Sequence, residues 1–297
     1  MKLWLLHTVL ISGILLGLHA VNNEAEAAIA EVNPPLQKKV EIYRRPQLEK
    51  FIISFTNQVR SEHGLTLLDT DQPLVKISRS HSDDMIIRNY TGHVSPEGMT
   101  PEDRVSTQYR TFVGHIAENI WVLSGDWKGA PYNESASPIV LASRIVDEWM
   151  QSPAHRKNIL TEDLSHIGVG VSVKHGKLLV TQLLTYRLAV LDQPLITKAK
   201  PSTHINLSLI KEHSFDEHQY CFEPLNVDQK KQYVSMSEAH RAVKLPNKTG
   251  IYRLIVLVKL EDDGDKFHVY AGPVIVVDNQ VSTQQNILSS LHPFSAM

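Results

Sequence analysis

Four residues combine types that can do chemistry together: His93, Glu118, Glu148 and His155. Imidazole is a good zinc donor, and two such ligands completed by water leave coordination positions open to a ligand. A neighbouring carboxylate can orient an imidazole or accept a proton from a bound water. On these grounds His93 and His155 are the candidate ligands for zinc or another divalent cation. Glu118 and Glu148 are the candidate catalytic bases, and all four form a candidate ligand-binding set. No third protein ligand is identifiable, so such a site would be weak and open. The plainer alternative is a structural tetrad, in which Glu118 satisfies backbone donors and the histidines bond internally.

Other chemistries find less support. The sequence has no Gly-x-Ser-x-Gly elbow and no His-Glu-x-x-His motif, the marks of many serine hydrolases and zinc proteases. Cys221 is the single cysteine, which excludes an intramolecular disulfide and a thiolate metal cluster; it reads as a buried small hydrophobe. His81 falls on an apolar helical stripe and reads as a satisfied core or boundary residue. His115, close to Glu118 in sequence, reads as peripheral. Asn119 and Arg156 read as scaffold, through a loop amide bond and an ion pair respectively, and Trp149 as core packing.

The elements that must position these residues follow from periodicity. Leu48, Phe51, Ile52, Phe55 and Val59 recur at helical spacing, and Gly64 offers a stop. Leu74, Ile77, His81 and Met85 mark a second helix, with Pro73 suited to its first turn. Thr100-Pro101-Glu102-Asp103 has the form of a helix cap. A loop over Gly125 to Pro138 precedes an amphipathic helix carrying Ala142, Ile145, Val146 and Trp149. Ser152-Pro153 then starts a short turn bearing His155, a break that can fold His155 back towards the helix end. Ile167 to Val173 and Leu178 to Thr185, divided by His175-Gly176, read as an antiparallel hairpin. Helices followed by paired strands imply a layered α/β arrangement and not a parallel βαβ repeat.

Gly92-His93, Ala117-Glu118-Asn119, Asp147-Glu148-Trp149-Met150 and Ser152 to Ile159 occur in an order that resembles the CAP superfamily. That superfamily comprises cysteine-rich secretory, antigen-5 and pathogenesis-related proteins, and the likeness is to its cysteine-free bacterial SCP-like branch. Asn57, Arg60, His63-Gly64-Leu65, Met85, Gly98, Arg104, Gly168-Val169-Gly170 and Thr181-Gln182 add further matches, within Leu48 to Tyr186. The resemblance implies a three-layer α-β-α sandwich with a central cavity. The family's two histidines match His93 and His155, and its two glutamates match Glu118 and Glu148. It also implies that the histidines can bind a divalent metal, commonly zinc, with the glutamates alongside. Activity is left open, because the superfamily includes lipid or sterol binders and host-interaction proteins, and proteolysis is not general in it.

At 297 residues the chain can form one domain with a full core and a smaller second one. Lys and Arg total 30 against 32 acidic residues, a formal net charge of -2 that gives no electrostatic reason to expect a nucleic-acid partner. Lys2 followed by an apolar run from Leu3 to Leu18 reads as a signal peptide over 1–20, with Ala25 to Ala27 as a second cleavage site. No later stretch approaches the roughly 20 apolar residues needed to span a bilayer. Residues 21–47 read as an arm in which Pro34-Pro35 interrupts any helix, 48–190 as the α/β domain and 191–205 as a linker. Residues 206–297 read as a β-rich, immunoglobulin-like domain, with strands at Gly250 to Lys259 and Phe267 to Tyr270 around the acidic turn Glu261 to Asp265, another strand after Gly272-Pro273, and weak helical periodicity near Ser237 to Arg241.

These observations lead to an expected function: a secreted or periplasmic bacterial protein that binds a small, lipid or cell-envelope ligand in a His/Glu-lined groove. Two alternatives stay open. One is a metal-dependent hydrolase of peptide or cell-envelope material, and the other a structural module that takes a protein partner through its C-terminal region.

Overall fold

The structure, a computed structural model, describes residues 34–123, 137–174, 177–215, 217–225, 234–238, 242–260 and 266–280, with only the backbone described for 34–44 and 234–238. The expected signal peptide, the loop from Gly125 to residue 136, and the turns at His175-Gly176 and Glu261 to Asp265 lie outside these residues. In chain order the first elements are α1 (Pro34–Glu62), β1 (Asp69–Thr70), α2 (Gln72–Ile87), α3 (Pro101–Gln108), β2 (Phe112–Leu123), α4 (Pro138–Gln151) and α5 (Pro153–Ile159). Then come β3 (His166–Lys174), β4 (Lys177–Leu191), β5 (Lys198–Ala199), β6 (His204–Ile205), β7 (Leu209–Lys211) and β8 (Glu217–Pro224). The last are β9 (Val234–Glu238), β10 (Val243–Lys244), β11 (Gly250–Lys259) and β12 (Phe267–Val277). Among the described residues no helix is long and apolar enough to cross a membrane.

Two compact units share the chain. Of the described residues, those within Met1–His93, Glu118–Glu162 and Ile167–Leu184 form the first, and those within Val94–Ala117, Asp163–His166 and Thr185–Met297 the second. In the first unit the strands run in the order β1-β3-β4-β2. Adjacent residues of β4 show how helices cover both faces. Thr181 shares a 2.8 Å hydroxyl bond with Ser82 of α2, while Gln182 donates to Thr56 of α1 at 3.0 Å. Successive side chains of a strand point to opposite faces, so α2 lies on one face and α1, with α4 packed on it, on the other. This is the expected α-β-α layering.

Local rules explain the helix limits. Asp71 caps α2, accepting from the Leu74 amide, and Gly64 ends α1 at φ +72°, a conformation glycine adopts without strain. Pro34 and Pro35 stand in the first turn of α1, where a missing N–H costs no bond. The arm expected over 21–47 is therefore helical from Pro34 on. The exposed edge of β3 is satisfied from α1: Arg45 donates to the Val173 carbonyl at 2.8 Å, and Glu49 accepts the Val171 amide at 3.0 Å. Buried Arg60 donates to the carbonyls of Thr66, Ile159 and Thr161 at 2.7–2.8 Å, pinning the chain that leaves α5.

The second unit holds α3 and an antiparallel sheet in the order β12-β11-β8-β9, with Gly114 of β2 opposite Ala271. The hairpin expected near Gly250 is formed by β11 and β12 from Gly250↔Val277 to Lys259↔Phe267, with an irregularity between Arg253 and Ile255. β12 runs through Gly272-Pro273 as one strand, where two were expected, and residues 237–238 belong to a strand, not a helix. The region is β-rich as expected. Among the described residues its second ladder, β6 with β10, is two residues long on each side. Thr100 and Asp103 form the expected capping box on α3, and Arg253 of β11 reaches both Glu102, at 3.0 Å, and Asp103.

Close approach of α2 to β3 gives the first prediction. A Cβ at Gly170 would overlap backbone atoms of Ser78 and Arg79, which no side-chain rotation can relieve. Gly170→Ala should therefore destabilise the protein by about 3 kcal/mol or more, read from the midpoint of urea unfolding. An unchanged midpoint would contradict this packing.

Candidate functional site

The site grows from the outer edge of β2 in the first unit. Glu118 is buried at 6% exposure, and its carboxylate oxygen Oε1 accepts from Nδ1 of His93 at 2.8 Å. A buried carboxylate needs such a partner, since isolated burial of its charge is expensive. The bond places a proton on Nδ1 of His93 and the ring's lone pair on Nε2. Half of the His93 side chain, 51%, is exposed, so the imidazole is anchored on its inner side and reaches solvent on the other. His81 stands behind both. Its Nε2 lies 3.1 Å from the Gly92 carbonyl and 3.9 Å from Oε1 of Glu118.

A second set of bonds fixes α5, which carries His155. Asn158 donates to the Glu118 carbonyl at 3.1 Å and to Oδ1 of Asn119 at 2.9 Å. Asn119 in turn donates to the His155 carbonyl at 3.3 Å and to Oε1 of Gln182 at 2.9 Å. Trp149 adds a bond from its indole to the Ile120 carbonyl at 3.2 Å. Asn158 and Trp149 thus satisfy alternate carbonyls along the edge of β2, as a further strand would. This locks the backbone of His155 against that of Glu118.

His93 and His155 are near enough for charge on one to be felt by the other. Burial, and secondarily the His93 imidazole, lowers the pKa of His155 below its ordinary value of 6.5. At neutral pH His155 is therefore the neutral base that metal coordination requires. The structure thus joins His93 to Glu118, bonds the His155 carbonyl to Asn119 beside Glu118, and adds His81, which is buried and bonded as its place on the apolar stripe implied.

Glu148 makes different bonds. Its Oε2 accepts from the Trp121 indole at 2.6 Å and its Oε1 from Nε of Arg144 at 2.8 Å. Arg144 is one helical turn before Glu148, the spacing at which such pairs form, and that spacing was the signal in the sequence. Asn119 is a scaffold residue as expected, but on a strand and not a loop. Arg156 lies 3.3 Å from His63 in place of an acidic partner, Trp149 is core, and His115 belongs to the second unit, its ring 4.6 Å from that of Tyr270. Cys221 is fully buried, its thiol pushed up to about 12 by burial and by Glu223.

Comparison with known proteins adds an independent line. Residues 53–184 match the family model described as CAP, the cysteine-rich secretory protein family. The chain is 35% identical over 127 residues to an uncharacterized membrane protein of Bacillus subtilis, YlbC, a match covering 43% of this chain and 32% of that one. It is 34% identical over 139 residues to the uncharacterized protein YkwD of the same organism, covering 46% of each. The chain thus spans less than half the length of these curated relatives. Among solved structures, an extracellular protein containing a SCP domain from Bacillus anthracis aligns at 29% identity and a TM-score of 0.40, covering 52% of this chain and 44% of that one. An outer surface protein from Borrelia burgdorferi aligns at 19% identity and a TM-score of 0.39, covering 48% of this chain and 93% of that one.

The His155 environment is testable by NMR titration. Its midpoint should fall below 6.5, and His93→Ala should move it upward by removing a like charge while the effect of burial remains. The unfolded chain takes up this proton at higher pH than the folded one. The contribution to stability is therefore whole above about pH 6.5 and declines as pH falls towards the folded value. A midpoint at or above 6.5, or a downward move in the variant, would contradict the geometry.

Proposed function

We propose that residues 53–184, a CAP domain of the cysteine-rich secretory protein family, serve an exported bacterial protein as a ligand-binding domain centred on His93, His155 and Glu118. The observation that carries this reading is the buried Glu118 carboxylate bonded to Nδ1 of His93. A carboxylate behind a half-exposed imidazole is the arrangement that prepares histidine as a metal ligand, raising its basicity and fixing its ring.

The donor chemistry fits zinc or another divalent cation. His93 and His155 would hold it, the first through the nitrogen opposite Glu118, the second as a neutral imidazole. Among the described residues no group of three or more His, Cys, Asp or Glu side chains is placed to hold a metal, so the protein share would be these two imidazoles. A cation held in this way supplies Lewis acidity and coordination positions that a ligand's oxygen or nitrogen can enter. Glu118 keeps the proton on Nδ1 of His93, and the Asn119–Asn158 amides hold the two histidine-bearing segments in register.

Binding without turnover is favoured over hydrolysis because the sequence carries no Gly-x-Ser-x-Gly elbow and no His-Glu-x-x-His motif. Export rests on Lys2 and the apolar run from Leu3 to Leu18. Ligands of small, lipid or cell-envelope type are consistent with that location.

Calorimetric titration with zinc should show one weak site in the wild type and none in the His93→Ala/His155→Ala double variant. Affinity should fall in acid, as His155 protonates below pH 6.5. Equal stoichiometry and affinity in the two proteins would overturn the assignment. Incubation with peptide and cell-wall libraries should leave them unchanged by mass spectrometry. Products that appear with the wild type and vanish with Glu118→Gln would replace the binding reading with hydrolysis.

A further inference from the structure

We propose that His81 is a positioning residue for the site, holding both the residue before His93 and the carboxylate behind it. Ile77, His81 and Met85 follow one another at four-residue spacing on α2, and all three are buried to 2% exposure or less. Packing alone would place an aliphatic side chain between Ile77 and Met85. An imidazole there must find polar partners, and the two its Nε2 meets belong to the site. Gly92 offers a carbonyl at 3.1 Å, and Glu118 offers Oε1 at 3.9 Å.

The Gly92 carbonyl can only accept, so Nε2 of His81 carries the proton. That proton points at the backbone of the residue preceding His93, while Oε1 of Glu118 lies 3.9 Å from Nε2 of His81 and 2.8 Å from Nδ1 of His93. Glu118 alone would fix one atom of a half-exposed imidazole. His81 adds a hold on the chain to which that imidazole is attached, and so restricts the direction in which His93 presents Nε2. Tyr90 closes the other side of His81, its ring 6.2 Å away edge-on and its hydroxyl donating to Asp84 at 2.6 Å. The ring of His81 is therefore held on α2 and transmits that position to Gly92-His93.

The consequence for zinc rests on the metal reading above; the consequence for the His93 tautomer does not. Two variants separate position from packing. His81→Leu keeps an apolar side chain of similar bulk without a donor, whereas His81→Gln retains an amide N–H able to reach Gly92. Imidazole 15N shifts of His93 in the metal-free protein should report a single Nδ1–H tautomer in the wild type. They should show a mixture in His81→Leu, where the released Gly92-His93 segment no longer holds Nδ1 against Glu118, and a return towards one tautomer in His81→Gln. Zinc affinity should drop 10–100-fold in His81→Leu, the usual effect of losing an outer partner of a metal-bound histidine, and recover in His81→Gln. If the wild type binds no zinc, the metal reading fails and the tautomer series still decides the role of His81. A folded His81→Leu protein with wild-type His93 shifts would overturn the proposal, as would a failure of His81→Gln to restore them. Should His81→Leu not fold, the His81→Gln protein decides: wild-type shifts support the positioning role, and a tautomer mixture overturns it.

Discussion

A carboxylate buried on the edge of a strand is the constraint from which the site follows. Glu118 cannot sit at 6% exposure without donors, and the chain supplies imidazoles for that purpose. His93 donates at 2.8 Å from a segment that has left α2, and His81 approaches from α2 itself. The charge of Glu118 is the reason these parts of the chain meet. It also sets which nitrogen of His93 carries the proton, and hence which one is presented to solvent.

The position of Glu118 depends in turn on how the edge of β2 is closed. Carbonyls at Glu118 and Ile120 take side-chain donors from Asn158 and Trp149. Through Asn119 and Gln182 the same network reaches Thr56 on α1. One chain of amides thus ties α1, β4, β2 and α5 together. Buried polar networks of this kind hold a unique arrangement when every member is satisfied. Here the arrangement held is that of the backbone of His155 beside that of Glu118.

Much of this framework is legible in the sequence because it follows local rules. The helical stripes at Leu48 and Leu74, the Thr100–Asp103 cap and the Gly168-Val169-Gly170 strand all use spacing or backbone permissiveness that can be read along the chain. The bond between His93 and Glu118 joins two of the four reactive residues that stand out by type and order, His93, Glu118, Glu148 and His155. Glu148 fits the chemistry by type, but its partners, Arg144 one turn away and Trp121 on β2, are not both legible from spacing. The role of His81 was hidden because periodicity shows burial and cannot show which carbonyl a buried imidazole meets. β2 was hidden too, since its edge is completed by side chains from helices and not by a regular alternation. The start of α1 at Pro34 shows that prolines which would break a helix interior fit readily into its first turn.

The central claim is that Glu118 prepares His93 to act together with His155. Anomalous diffraction at the zinc edge from crystals soaked in zinc tests it most directly. The account predicts one peak at about 2.0–2.1 Å from an imidazole nitrogen of each histidine, with Nδ1 of His93 still bonded to Glu118. A peak bound by other residues, or by His93 through Nδ1 with the Glu118 bond broken, would contradict it.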